Sequence, residues 1–166
     1  MGTFEQLLVG PFRPAEILIG KSVPPLLIGL AEGGVIVLVA VFWFGVPFRG
    51  GLVPLFAGLF LYVLAVIGIG LMVSSIARTQ QQAILGAFLF IVPAVILSGF
   101  ATPIDNMPWV IQQLTLANPM RYFLIIVRGS FLEGLPFDLL TPRLWPMALI
   151  ATITLTGAAW LFRRTD

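Results

Sequence analysis

Between Ser22 and Val46 the chain carries one charged residue, Glu32, and the runs Leu52–Ile76, Ala83–Phe100 and Leu144–Phe162 carry none. Each run is close to the roughly 20 residues a helix needs to cross a hydrocarbon core of about 30 Å. Lipid offers the backbone no hydrogen-bond partners, so uninterrupted apolar runs of this length cross it as helices. The expected fold class is therefore an all-α integral membrane protein with about four transmembrane helices, at 22–46, 52–76, 83–100 and 144–162. With 59% hydrophobic and 10% charged residues, the chain has too little polar surface for a soluble domain.

Prolines punctuate these runs. Ser22 is placed to cap the first span, with Pro24 and Pro25 in its first turn, where a missing N–H costs little. Pro54 occupies the first turn of the second span. Pro93 falls near the middle of the third, where it should kink the helix and free a carbonyl that a neighbour or a water must satisfy. The fourth is entered through Thr141-Pro142 and Pro146.

The connections differ in length. Pro47–Gly51 and Arg78–Gln82 (Arg78, Thr79, Gln80, Gln81, Gln82) read as short polar turns. The stretch 101–143 is long and breaks at "ANPM", where Asn118 caps and Pro119 suits a first helical position. Two short helices, about Pro108–Ala117 and Pro119–Leu132, would each reach about half-way across a bilayer. They are expected to form a re-entrant or interfacial hairpin before the last span.

An even number of spans puts both termini on one side. Arg13, Lys21, Arg78, Arg163 and Arg164 share that side, against Arg49, Arg121, Arg128 and Arg143 on the other. The terminal "FRRTD" closes a span as a cytoplasmic stop does, so both ends are expected in the cytoplasm.

Several chemistries are excluded. Nine Lys and Arg are scattered between greasy runs, so the net charge of +2 forms no basic patch for nucleic acid. No Cys and no His leave no thiolate nucleophile, His-based zinc site or His general base, and no metal site is expected. "AEILIGKS" (Ala15–Ser22) approaches the phosphate-loop pattern, but Ala15 replaces its first glycine and Glu16-Ile17-Leu18-Ile19 is bulky and acidic. No nucleotide is expected on this chain. Nor does any span hold a catalytic constellation, so no enzyme activity or catalytic residue is expected.

The first 21 residues are too polar and too Pro-broken to cross a membrane. Thr3-x-x-Gln6 has capping-box spacing, and Phe4, Leu7 and Leu8 share one face, with Glu5 and Gln6 off it. Such a helix fits either a lipid surface or a protein groove. Surface helices usually carry Lys and Arg on the polar face, and this one carries a glutamate and a glutamine. That favours docking on another chain.

"GTFEQLLVGPFRPAEILIGK", "SSIARTQQQA", "LSGFATPIDNMPW" and "ANPMRYF", in this order, resemble the C-terminal half of an ABC-2 type permease, the membrane subunit of bacterial ABC exporters. The resemblance implies a cytoplasmic coupling helix in 1–21, with Thr3, Phe4, Glu5, Gln6, Leu7 and Leu8 touching an ATP-binding cassette ATPase subunit. It implies that Arg78–Gln82 form a second cytoplasmic turn and that the hairpin lies outside the cell. A second permease, identical or not, would complete the dimer in the bacterial inner membrane. ATP and Mg would be held by the ATPase and not by this chain. The family's first two spans and large external domain lie outside these 166 residues. The expected function is coupling ATP hydrolysis on a partner to export of a hydrophobic or amphipathic substrate. The alternative is a non-transporting membrane fragment or scaffold that binds a full-length partner.

Three polar features stand apart. Glu32, about ten residues into the first span, costs about 2.5–3.5 kcal/mol to insert and is a functional candidate by default. It could line a wet cavity, carry a proton or attract cations; equally, it could be protonated or paired with another span. Gly29 and Gly33 flank it at the spacing that lets helices approach closely. Arg121 and Arg128, seven apart, share a helix face. They could meet anionic substrate or headgroups, although snorkelling or pairing with Asp105, Glu133 or Asp138 is the simpler expectation.

Overall fold

The computed structural model describes residues 13–165, and these form six α-helices. In chain order they are α1 (Pro14–Phe42), α2 (Leu52–Ile76), α3 (Gln80–Ile96), α4 (Trp109–Thr115), α5 (Pro119–Arg128) and α6 (Phe137–Thr165). A 3-10 turn (Ile104–Asn106) precedes α4, and a π-helical turn (Gly129–Glu133) closes α5. Among the described residues, α1, α2 and α6 are long and apolar enough to cross a membrane.

The central pair is α2 with α6, running parallel. Leu55, Leu59 and Ala65 of α2 are buried, as are Leu140, Met147, Ala151 and Ala158 of α6. With the half-buried Leu144 and Thr154, the α6 positions step alternately by four and three residues. That spacing keeps one seam facing a neighbour at a shallow crossing angle. Gly68 lets α2 approach so closely that a Cβ there would stand 2.7 Å from Thr154 Cβ and 2.9 Å from the Leu155 backbone nitrogen. Helix α1 packs antiparallel on α2, with Gly29 against Val63 and Gly33 against Leu59. At the same level of α2, α5 wedges between α2 and α6, with Gly58 against Ile126. Tyr122, Ile126 and Met147 form a buried cluster there, and Tyr62 stacks on Phe123 at 4.7 Å between ring centroids.

Three of the four helices differ from the expected spans, and α2 alone matches. Helix α1 covers 14–42 rather than 22–46, because it breaks at Trp43 and Gly45 turns at φ +64°. Helix α3 covers 80–96 rather than 83–100, and α6 covers 137–165 rather than 144–162. Helix α1 starts at Pro14, eight residues before Ser22. Pro14 takes the first helical position and Glu16 reaches back, its Oε2 accepting from Arg13 N at 3.0 Å. Ser22 is thus not a cap: its hydroxyl donates to the Leu18 carbonyl inside the helix. Pro24 and Pro25 lie inside the helix, about three turns after Pro14, and both are exposed. Helix α3 spans Gln80–Ile96, not 83–100, so Pro93 lies near its end rather than its middle. Ser98 stops it by donating to the Val95 carbonyl at 2.6 Å, and Gly99 then turns away at φ +88°. Its 17 residues measure about 25 Å. Helix α6 begins at Phe137 and runs through Pro142 and Pro146, so the last span extends seven residues further toward the hairpin than the apolar run from Leu144.

Candidate functional site

Most of the polar chemistry gathers where the hairpin meets the bundle. Asn118 ends α4 and starts α5: its Oδ1 accepts from Met120 N at 3.1 Å, and Pro119 takes the first helical position. Its Nδ2 donates to the Ala94 carbonyl at 2.7 Å. That carbonyl belongs to the last turn of α3, where the intrahelical donors have run out. One side chain thus caps two helices. Tyr122 Oη donates to the Leu116 carbonyl at 2.8 Å, and Thr115, fully buried, donates to the Gln112 carbonyl. Arg121 Nη1 in turn donates to Thr115 Oγ1.

Below the hairpin lies a cavity of about 370 Å³. Arg121 and Arg128 both line it from one face of α5, facing Asp105 and the Ser98–Phe100 turn. Arg128 makes a long contact of 3.5 Å to the Gly99 carbonyl, and the buried Nε of Arg121 has no acceptor. Sequence reasoning had Asn118, Pro119 and the two arginines but missed Thr115, Ser98 and Gly99. "LSGF" carried a legible signal, since a serine and a glycine after an apolar run mark a helix stop.

At the opposite end, Arg78 and Thr79 form the turn between α2 and α3. Gln80, Gln81 and Gln82 are helical rather than part of a loop, because Thr79 caps them. Its Oγ1 accepts from Gln82 N at 3.2 Å while Gln82 Oε1 accepts from Arg78 N at 2.9 Å. The spacing Thr79-x-x-Gln82 is the one noted at Thr3-x-x-Gln6, and it announces this start equally well. Lys21 Nζ stands over the Phe162 ring, 5.6 Å from its centroid, and Arg164 over Trp160, 4.0 Å from its centroid. Thr3, Phe4, Glu5, Gln6, Leu7 and Leu8 lie outside the described residues.

Glu32 is exposed on α1, next in sequence to Gly33, which faces α2. Gly33 lies against Leu59, seven residues, about 10 Å, along α2 from its start, so Glu32 sits near that level. The structure therefore keeps three groups apart: the arginine cavity, the Arg78–Gln82 turn and Glu32. Among the described residues no cluster of acidic groups could hold a metal ion.

Residues 1–132 match the family described as ABC-2 type transporter. Over 163 residues the chain is 37% identical to the probable multidrug ABC transporter permease YbhR of Escherichia coli (strain K12), covering 98% of this chain and 44% of that protein. It is 38% identical to the probable multidrug ABC transporter permease YbhS of the same strain, covering 96% and 42%. It is 33% identical to the inner membrane transport permease YhhJ, again of that strain, covering 99% and 44%. The chain therefore spans less than half the length of these relatives. No solved structure matches it significantly. Its all-helical architecture, its three long apolar helices and the family match over four-fifths of its length agree: this chain belongs to the ABC-2 type transporter family.

Proposed function

We propose that the chain is the C-terminal part of a permease that carries hydrophobic or amphipathic compounds out across the bacterial inner membrane. The family match over residues 1–132 carries this reading, because it includes the opening stretch as well as the apolar helices. In this proposal Thr3–Leu8 are a coupling helix seated in a groove of an ATP-binding cassette ATPase, which holds ATP and Mg. The Arg78–Gln82 turn is the second cytoplasmic contact, both ends of the segment face the cytoplasm, and a second permease completes the pathway. The names of the relatives support transport and, for two of them, a multidrug role.

The test is affinity purification from native membranes through a tag after Asp166, reading the size of the tagged chain and its partners. An ATPase should co-purify. Phe4→Asp with Leu7→Asp should cut its recovery about tenfold or more, the scale of losing an aromatic anchor from a docking groove. A tagged chain of 18.0 kDa without an ATPase would overturn the transporter reading and favour a membrane scaffold.

A further inference from the structure

We propose that the cavity below the hairpin binds the phosphodiester headgroup of a membrane phospholipid, with Arg128 and Arg121 as its phosphate ligands. The two guanidinium groups rise from one face of α5, two turns or about 10 Å apart along the helix, and line the same 370 Å³ space. Arginine side chains are long enough to converge from that spacing on one phosphate. Their planar forks match phosphate oxygens two at a time. Neither fork is fully used within the chain. Arg128, which is exposed, has only the long contact to the Gly99 carbonyl. Arg121 spends Nη1 on Thr115, and its unpaired Nε is buried, so Arg128 is the principal ligand and Arg121 the supporting one.

Charge narrows the ligand. Two arginines and Asp105 leave one surplus positive charge in the lining, which suits the single negative charge of a phosphodiester. Phe100, Pro103, Ile104, Leu124 and Ile125 supply the rest of the wall, an apolar bed for a glycerol backbone and the first acyl carbons. A second observation favours a lipid over a free anion. Trp43, Trp109 and Trp145 are 84%, 72% and 65% exposed, and all three belong to the hairpin end. Exposed tryptophans collect at headgroup depth, where one edge of the ring is wet and the face is in hydrocarbon. The cavity is lined by the Ser98–Asp105 segment that follows α3 and by α5, at this same end of the bundle. In the proposal, that sets it beside the phosphates of the surrounding leaflet.

Native mass spectrometry of the protein, extracted from its membranes with whatever partners accompany it, tests this. Detergent-exchanged samples are titrated with phosphatidylglycerol, phosphatidylethanolamine and diacylglycerol of equal chain length. Phospholipid adducts should survive where diacylglycerol adducts do not. Arg128→Gln should weaken them about tenfold, the effect of losing a charge-assisted hydrogen bond; Arg128→Lys should recover part of the loss. Arg143→Gln, an arginine outside the cavity, should change nothing. Equal binding of diacylglycerol, or undiminished phospholipid binding by Arg128→Gln, overturns the proposal. Displacement of the lipid by millimolar inorganic phosphate assigns the site to free anions and overturns the lipid assignment. Where Arg128→Gln does not fold, Asp105→Asn decides: it should tighten phosphatidylglycerol binding, and an unchanged affinity overturns the proposal.

Discussion

Asn118 offers the sharpest test of how the hairpin is held. The residue is 8% exposed and joins two helices through one amide. Replacing it by alanine removes the cap on Met120 N, a loss of about 1 kcal/mol. It also strands the Ala94 carbonyl, which has no substitute because Ser98 N–H turns instead to Val95 at 3.4 Å. Leaving a half-buried acceptor unpaired costs up to about 1–3 kcal/mol more, so Asn118→Ala should destabilise by about 2–4 kcal/mol at most. Asn118→Ser separates the two terms. A serine keeps the cap but is too short to reach α3, so it should lose only the second part. Equilibrium unfolding of the purified protein in mixed micelles with increasing sodium dodecyl sulfate, followed by tryptophan fluorescence, measures both. An effect of Asn118→Ala below about 0.5 kcal/mol, the range of an unremarkable surface change, would refute the double-cap argument. Wild-type stability of Asn118→Ser would dismiss the bond to Ala94 alone.

The α2–α6 seam predicts opposite outcomes for two glycines two residues apart. A Cβ at Gly68 meets the Leu155 backbone at 2.9 Å, so Gly68→Ala should cost about 1–3 kcal/mol in the same assay. Gly70 has nothing within 4 Å, and Gly70→Ala should be neutral or stabilise by up to about 1 kcal/mol; equal effects would refute the assigned seam. Glu32→Gln should ease insertion of α1 by about 2 kcal/mol, measurable by glycosylation mapping of an inserted segment. It should also lower export in a cell-based resistance assay, and unchanged export would reduce Glu32 to a paired structural residue.

The fold class was legible because three of the four runs carry no charge and the other carries only Glu32, which leaves the backbone little choice in lipid. The helix ends were less so, and for a particular reason. Ser22-x-Pro24-Pro25 reads as a start because serine and proline are what a start uses. In the folded chain the same residues are passed over, since "RPAE", with its cap nine residues earlier at Arg13, offers a better start. The Pro93 span sits three to four residues earlier than expected for the converse reason: "ILSGF" is still apolar by composition, yet Ser98 and Gly99 end the helix by hydrogen bonding and by φ, while Thr79 starts it at Gln80. At the hairpin, Asn118-Pro119 announced a cap, and that Arg121 and Arg128 share a face followed from helical spacing. What they face depends on Ser98–Asp105 folding back beneath α5. That is a tertiary fact with no periodic signal, so Asp105 could be named only as one of three partners.

Helix α3 differs from its neighbours in a way that bears on motion. No residue of α3 is buried, and Gly86 beside Val73 is a narrow contact with α2. Both of its ends are nevertheless tied, one by the Thr79–Gln82 reciprocal bonds and the other by Asn118 on Ala94. A stiff segment of about 25 Å, fastened at its tips and only lightly gripped between them, behaves mechanically as a tie rod. The Arg78–Gln82 turn and Ala94 are therefore joined by one continuous helix that has little contact with the α2–α6 core. The amide of Asn118 is the side-chain bond that ties the hairpin end of this rod to the start of α5.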